Sequence, residues 1–398
     1  MKEIHKLGFL IFAGILLSRA GGFIFKILAL KLLPLALYGE VVIFILLLNF
    51  LGSIAALGLP ILITSTAGKE NHEKKRFEIL REFSTLLIPI SLSISLFLLL
   101  FSTTVSSLLN ISSISIIFLA GTIPLYTLYN LLLFYFRGTD AKVSTISEFL
   151  LSILRITIFI ALFFAGAVIF SPFLSFLLAF LFSNFFMLLK LRRKKLITKL
   201  TKIKNARKIL GAGFIVLIYE SLRNLSIGID RFTLSSFFNS TVSGIYDSLV
   251  LLCVFYVILA NSYGIALLSQ KTKIMKKLKE SLNMYFKLSL LYTVFILITG
   301  KFILGIFRPE LLEAFYTFPY VVVGYFIYGI FVVFIFFFTS LKRYKTAFTG
   351  TFIFLILNII FNLYLVPELK YLGASISLTA SVIIGSVFLG VKIWKEKY

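Results

Sequence analysis

The sequence predicts an all-α integral membrane protein of about twelve transmembrane helices, and three observations carry that reading. Sixty per cent of the 398 residues are hydrophobic and only 14% are charged, with a mean hydropathy of +1.04. A soluble fold, about a quarter charged, has no interior able to hide so much apolar surface. Apolar stretches of membrane-span length recur along the whole chain, separated by short polar clusters, and the basic residues gather on alternate clusters. At about 20 residues per crossing a chain of this length is filled by a dozen helices, with no room for a large soluble domain.

The first stretch, 7–33, follows Lys2 and Lys6 in the manner of a signal peptide. No small-residue cleavage site follows, and Arg19 and Lys26 continue the same helix, so it reads as a retained first span. Spans two to six are expected at 41–65, 83–109, 113–136, 144–165 and 168–189. Spans seven to twelve are expected at 208–236, 243–269, 284–306, 316–340, 346–366 and 372–392. Each must be helical, because lipid offers a backbone N–H or C=O no partner. Pro60, Pro89, Pro124, Pro172 and Pro319 therefore read as kinks or span ends.

The net charge of +24 would suggest nucleic acid in a soluble protein. Its distribution says otherwise. Of forty Lys and Arg, thirty-one lie on one set of alternate segments: the N-terminus, 66–82, 137–143, 190–207 (with Lys208), 270–283 (with Lys287), 341–345 and the C-terminus (with Lys392). Only Lys31, Arg308 and Lys370 fall on the opposite set. The positive-inside rule makes the basic set cytoplasmic, with both termini inside a cell (plasma) membrane and an even number of spans. The basic excess is then topology and contact with anionic headgroups, and nucleic-acid binding loses its support.

One cysteine, Cys253, excludes an internal disulfide, and two isolated histidines, His5 and His72, exclude a His-rich metal site or a Ser/His/Asp triad. There is no phosphate-binding G-x-x-x-x-G-K-[ST] loop, so no ATP hydrolysis is expected from the chain itself. Short outer connections leave no place for an extracytoplasmic catalytic domain. Asn110-Ile111-Ser112 and Asn239-Ser240-Thr241 match the N-glycosylation pattern, a three-residue match common by chance.

A weak internal repeat has a period of roughly 205 residues. Tyr38-Gly39 opens span two and Gly244-Ile245-Tyr246 opens span eight. Two six-helix lobes, 1–195 and 196–398, joined by the basic loop 190–207 and related by a pseudo-two-fold axis, are the simplest architecture. Facing lobes imply a cavity that opens to each side in turn.

Charges inside the spans point to that cavity, since an ionised side chain at mid-bilayer costs a few kcal/mol and faces water or a partner. Arg19 and Lys26, seven residues apart, share a face of span one. Glu148 and Arg155 repeat the spacing on span five, as do Arg223 and Asp230 on span seven. The functional reading assigns Arg19, Lys26, Arg155 and Arg223 to a cationic, anion-binding cavity, where guanidinium forks suit phosphate. The structural reading pairs Glu220 with Arg223 and Glu148 with Arg155 as salt bridges, and places Asp230, Arg231 and Asp247 near outer helix ends where partial hydration makes charge cheaper.

Several stretches together resemble a known family. Leu33-Pro34-Leu35-Ala36-Leu37-Tyr38-Gly39 with the later Leu57-Gly58-Leu59 looks like the opening of oligosaccharide flippases of the MOP (multidrug/oligosaccharidyl-lipid/polysaccharide) exporter superfamily. Phe136-Arg137-Gly138, Ile229-Asp230-Arg231-Phe232 and Leu357-Asn358-Ile359-Ile360-Phe361-Asn362 before Val366-Pro367 and Leu372-Gly373-Ala374 continue the resemblance in order, from about residue 10 to 390. Ser18-Arg19, Gly22-Phe23 and Lys26 are similar to the first helix of the lipid II flippase branch, whose basic residues contact a lipid-linked pyrophosphate and whose second basic position is Arg rather than Lys.

The resemblance implies a MATE/MurJ-like fold and a Wzx-like flippase of polyprenyl-(pyro)phosphate-linked oligosaccharide, a transporter rather than an enzyme. It implies no cofactor, coupling to a proton or sodium gradient with Glu220, Asp230 or Asp247 as carboxylates, and glycan-assembly enzymes as partners. The alternatives are a cation-coupled multidrug exporter of the same superfamily and a membrane enzyme acting on lipid-linked sugars.

Overall fold

An apolar segment of 20 or more residues has one solution in lipid, a helix that pairs its own backbone. The structure, a computed structural model, describes residues 20–70, 72–192, 206–268 and 274–395, and among them there is no strand. Helix α1 covers 20–32. It is followed by α2 (Leu35–Ala55), α3 (Leu59–Lys69), α4 (Glu73–Leu100), α5 (Ser102–Leu109), α6 (Ser113–Thr139), α7 (Ala141–Phe164) and α8 (Ser171–Arg192). Then come α9 (Ala206–Phe237), α10 (Ser240–Leu268), α11 (Ile274–Phe307), a 3₁₀ segment (Pro309–Thr317), α12 (Phe318–Ser340), α13 (Tyr344–Leu369) and α14 (Tyr371–Lys395).

Ten of these are long and apolar enough to cross a membrane. Helix α9, with 32 residues, reaches about 48 Å at 1.5 Å per residue but carries Arg223, Asp230 and Arg231 and is not among the ten. With α9 and the described part of α1 the order agrees with the all-α bundle of about twelve spans.

Span two departs from expectation. The stretch 41–65 is split between α2 and α3, because Leu57 and Gly58 adopt left-handed backbone at φ 49° and 66°. Gly58 does so without a Cβ penalty, and Pro60 sits in the first turn of α3, where an N–H has no intrahelical acceptor. Pro172 and Pro319 likewise stand at the starts of α8 and α12. Pro89 and Pro124 do not end their helices. Proline at 124 removes the N–H that would bond the Ala120 carbonyl, and the Ser95 hydroxyl of α4 donates to that oxygen instead, at 2.5 Å. A neighbouring helix thus satisfies the freed backbone group.

The chain divides into two compact units, Met1–Leu33 with Phe44–Ser221, and Pro34–Ile43 with Leu222–Tyr398. The division expected from the basic loop, at 195/196, falls in 193–205, outside the described residues. Of the three boundaries in the structure, Leu33/Pro34 falls between α1 and α2, and Ile43/Phe44 and Ser221/Leu222 fall within α2 and α9.

In the first unit the core is an aromatic ladder on α8. Phe173, Phe176 and Phe180 recur at helical spacing, with Phe25 of α1 edge-on to Phe176 at 5.1 Å, Phe44 of α2 against Phe173 at 5.2 Å, and Tyr129 of α6 against Phe180 at 5.3 Å.

In the second unit α10 and α12 are the most enclosed spans, with 72% and 67% of their apolar windows buried, whereas α11 has 17%. The start of α2 packs on the start of α10. A Cβ on Gly39 would lie 1.7 Å from the Ser240 carbonyl oxygen, and one on Gly244 would lie 3.0 Å from the Gly39 nitrogen. The two repeat motifs seen in the sequence therefore meet backbone to backbone. Asn239, in the short turn before α10, accepts a hydrogen bond from the Val242 N–H at 3.0 Å.

Candidate functional site

In the first unit the polar feature is a stripe of α7 turned toward α1. Ser152, Arg155 and Phe159 lie three and four residues apart and so share one face. Two glycines of α1 allow the approach: a Cβ on Gly21 would meet the Ser152 Cβ at 2.5 Å, and one on Gly22 would sit 3.5 Å from Arg155 Nη2. The Arg155 guanidinium lies 5.2 Å from the Phe25 ring centre and 5.0 Å from that of Phe176, while Phe25 and Phe159 are themselves in edge contact.

Arg155 stands about 21 Å along a helix of about 36 Å, deep in the span. Its Nε is buried without a hydrogen-bond partner, and the side chain as a whole is half-buried. Two rings contribute cation–π attraction of the order of 1–2 kcal/mol each when desolvated, but neither supplies an acceptor. The arrangement is a fixed cation with unused donors.

Glu148 does not pair with Arg155, as the structural reading of the sequence expected. It accepts from Arg137 Nη2 at 2.5 Å, with side-chain exposures of 6% and 17%. Asp140, whose carboxylate accepts from the Val143 N–H at 3.4 Å, begins α7 between the two partners in sequence. The turn it caps brings the end of α6 beside the start of α7. Glu148 is thus engaged by Arg137, while Arg155 lies against Phe25 and Phe176.

The second unit holds a buried ionic cluster built on Arg231 of α9. Nε donates to Asp230 Oδ1 at 3.2 Å, Nη1 to Asp247 Oδ1 of α10 at 2.9 Å, and Nη2 to the Ile227 carbonyl and to the Tyr325 hydroxyl of α12 at 3.2 Å. Tyr38 at the start of α2 donates to Asp247 Oδ2 at 3.0 Å. Asp230 and Asp247 have 0% exposure and Arg231 has 3%.

This corrects the sequence expectation for the three residues. They are paired with one another in a closed interior, not hydrated at helix ends. Two carboxylates face one guanidinium, and Asp230 Oδ2 and the Tyr246 hydroxyl are buried without hydrogen-bond partners. Nearby, Asn358 of α13 donates to the Ser226 carbonyl of α9 at 3.0 Å.

The remaining expected site residues are distributed as follows. Lys26 on α1 and Arg223 on α9 are half-buried, and both have interaction partners. Arg19 and the side chain of Glu220 lie outside the described residues. Among the described residues no group of three or more His, Cys, Asp and Glu could hold a metal ion. Sequence reasoning noted Arg137 and Tyr38 only as motif residues and did not see their roles. The signal was there in form: each is a polar residue adjoining a glycine in a motif, and each meets an acid, Glu148 for Arg137 and Asp247 for Tyr38.

No protein-family model and no curated protein matches the chain. Solved structures do. The lipid II flippase MurJ in an inward closed conformation superposes with a TM-score of 0.79 at 17% identity, covering 97% of this chain and 87% of that one. The fold is that of MurJ and MATE transporters. An inward-facing multidrug resistance MATE family transporter of the MOP superfamily gives 0.74 at 16% identity over 96% and 95% of the two chains. A MOP superfamily transporter from Pyrococcus furiosus, described as having a binding pocket of reverse polarity, gives 0.67 at 16% over 99% and 96%.

Proposed function

We propose that this protein is a flippase that carries a polyprenyl-(pyro)phosphate-linked oligosaccharide from the cytoplasmic to the outer leaflet by alternating access, for cell-surface glycan assembly. The observation that carries the reading is Arg155: a guanidinium deep in a span, clamped by Phe25 and Phe176, whose buried Nε has no hydrogen-bond partner among the described residues. A fixed cation of this kind offers bidentate hydrogen bonds to a phosphate oxygen pair. Lys26, Arg19 and Arg223 remain the further cations expected from the sequence, and the polyprenyl tail stays in lipid while the head group crosses. The likeness in fold to the lipid II flippase MurJ supports the same class of cargo.

The buried acids serve the energy supply in this reading. Asp230, with an unused oxygen in a closed interior, and Asp247 are the carboxylates proposed to take up a proton or sodium ion, with Glu220 as a third. Asp230→Asn is expected to retain the fold and to lose dependence on an imposed ion gradient.

The second reading, a cation-coupled exporter of small amphiphilic drugs, is favoured by the MATE likeness. One experiment separates the two. Purified protein in vesicles is given a fluorescent polyprenyl-pyrophosphate oligosaccharide on one leaflet, and transfer is read by a glycosidase added to the other. Transfer that Arg19→Ala/Arg223→Ala abolishes supports the flippase. Drug resistance with lowered drug accumulation in a sensitive host, without lipid transfer, sinks it.

A further inference from the structure

Helix α11 differs from its neighbours in the second unit. Only 17% of its apolar window is buried, and its first turns carry exposed Lys276, Lys277, Lys279 and Lys287. The one acid among them, Glu280, is engaged with Lys277 at 3.1 Å. Lys276, Lys279 and Asn283 line a groove of about 650 Å³ together with the apolar Met275 and Phe286.

The helical positions sort these groups. At 100° per residue Asn283 lies about 20° from Lys276, and Lys279 about 60° away, so three nitrogen donors share one side. Toward the middle of the helix the same surface turns apolar, with Phe286, Leu290, Val294 and Ile298 at successive turns, each exposed by 48–75%. Cationic donors above a continuous apolar strip are the complement of a phosphate ester with acyl chains. A neutral lipid would leave the lysines without a counter-charge, and a free phosphate would leave the strip unused.

We infer that this groove binds one anionic phospholipid of the surrounding bilayer, with Lys276, Lys279 and Asn283 on the headgroup phosphate and an acyl chain along Phe286 and Leu290. The site is separate from the transport cations, and it ties α11 to the charge of the leaflet that borders it. Lys277 is the built-in comparison, equally basic and exposed but already paired with Glu280 and outside the groove lining.

The test is native mass spectrometry of the full chain released from nanodiscs of phosphatidylglycerol and phosphatidylcholine. The protein should retain one phosphatidylglycerol in preference to phosphatidylcholine. Lys276→Gln/Lys279→Gln should weaken retention by at least about tenfold, since each lysine near an anionic surface contributes of the order of a factor of five. Lys277→Gln should retain the lipid, and so should Lys276→Arg/Lys279→Arg, which keeps both charges. Unchanged retention by the double glutamine variant would overturn the site, as would an equal loss from Lys277→Gln, which indicates diffuse charge. Displacement by inorganic phosphate at similar concentration, or preferential retention of a polyprenyl phosphate, would also overturn it.

Discussion

Arg155 is held by contacts that fix its place without using its hydrogen-bonding capacity. Truncation to Ala gives up the two ring contacts but also relieves the desolvation of a charge that no acid among the described residues balances, so the net stability change should be small, while a phosphate-binding role predicts that translocation falls by at least about tenfold. Arg155→Lys keeps the charge and loses the planar fork and its stacking. It should recover only part of the rate, in the same vesicle assay, with elution and thermal unfolding close to the parent. Arg231 is the opposite case. Its removal, as Arg231→Leu, leaves Asp230 and Asp247 buried and uncompensated, and a buried pair broken from one side costs about 3–5 kcal/mol. Thermal unfolding of the detergent-solubilised variant should show that loss directly. A variant as stable as the parent would mean the acids are held neutral. Gly39→Ala is a third residue-scale case, because the added carbon has no room against the Ser240 carbonyl. It should fold poorly, and Gly39→Ala protein with parental stability would show that the α2 and α10 starts do not meet.

At the scale of the element, three of the described helices carry an interior proline, Pro89, Pro124 and Pro367, and α6 shows how one is tolerated. Ser95 of α4 covers the carbonyl that Pro124 releases in α6. Ser95→Ala should therefore cost about 1–3 kcal/mol for an unsatisfied buried acceptor, and Pro124→Ala in the Ser95→Ala background should restore most of it. A double-mutant cycle by denaturant titration reads the coupling; an additive result would contradict it. The sequence stated the apolar lengths of these helices well, because lipid demands a span of fixed length. Pro60 marked a kink or span end within 41–65, but the sequence did not show that the backbone turns at Leu57–Gly58, since a short apolar run through a turn looks the same as one through a helix. Nor could it choose Arg137 over Arg155 as the partner of Glu148. Both lie within reach in sequence, and the choice depends on how α6 and α7 turn about Asp140.

For the whole molecule, the charge distribution that gave the span order also predicts an orientation. Cys253 is the single cysteine and is fully buried, so it should stay silent to polar maleimides. A cysteine introduced at exposed Ser107 should then react from outside the cell and one at exposed Lys342 only after the membrane is opened; the reverse pattern would invert the topology. The fold was legible from composition, charge and ordered motifs, because these are set by the bilayer as solvent. The site was legible only as a list of charges, since pairing decides which of them are spent on structure. Glu148, Asp230, Arg231 and Asp247 proved to be engaged in ion pairs, and Arg155 did not. The account therefore rests most heavily on one comparison in sealed vesicles. Transfer of a polyprenyl-pyrophosphate oligosaccharide by the parent protein, lost in folded Arg155→Ala and partly kept in Arg155→Lys, is the predicted result. Equal transfer by parent and Arg155→Ala would contradict it.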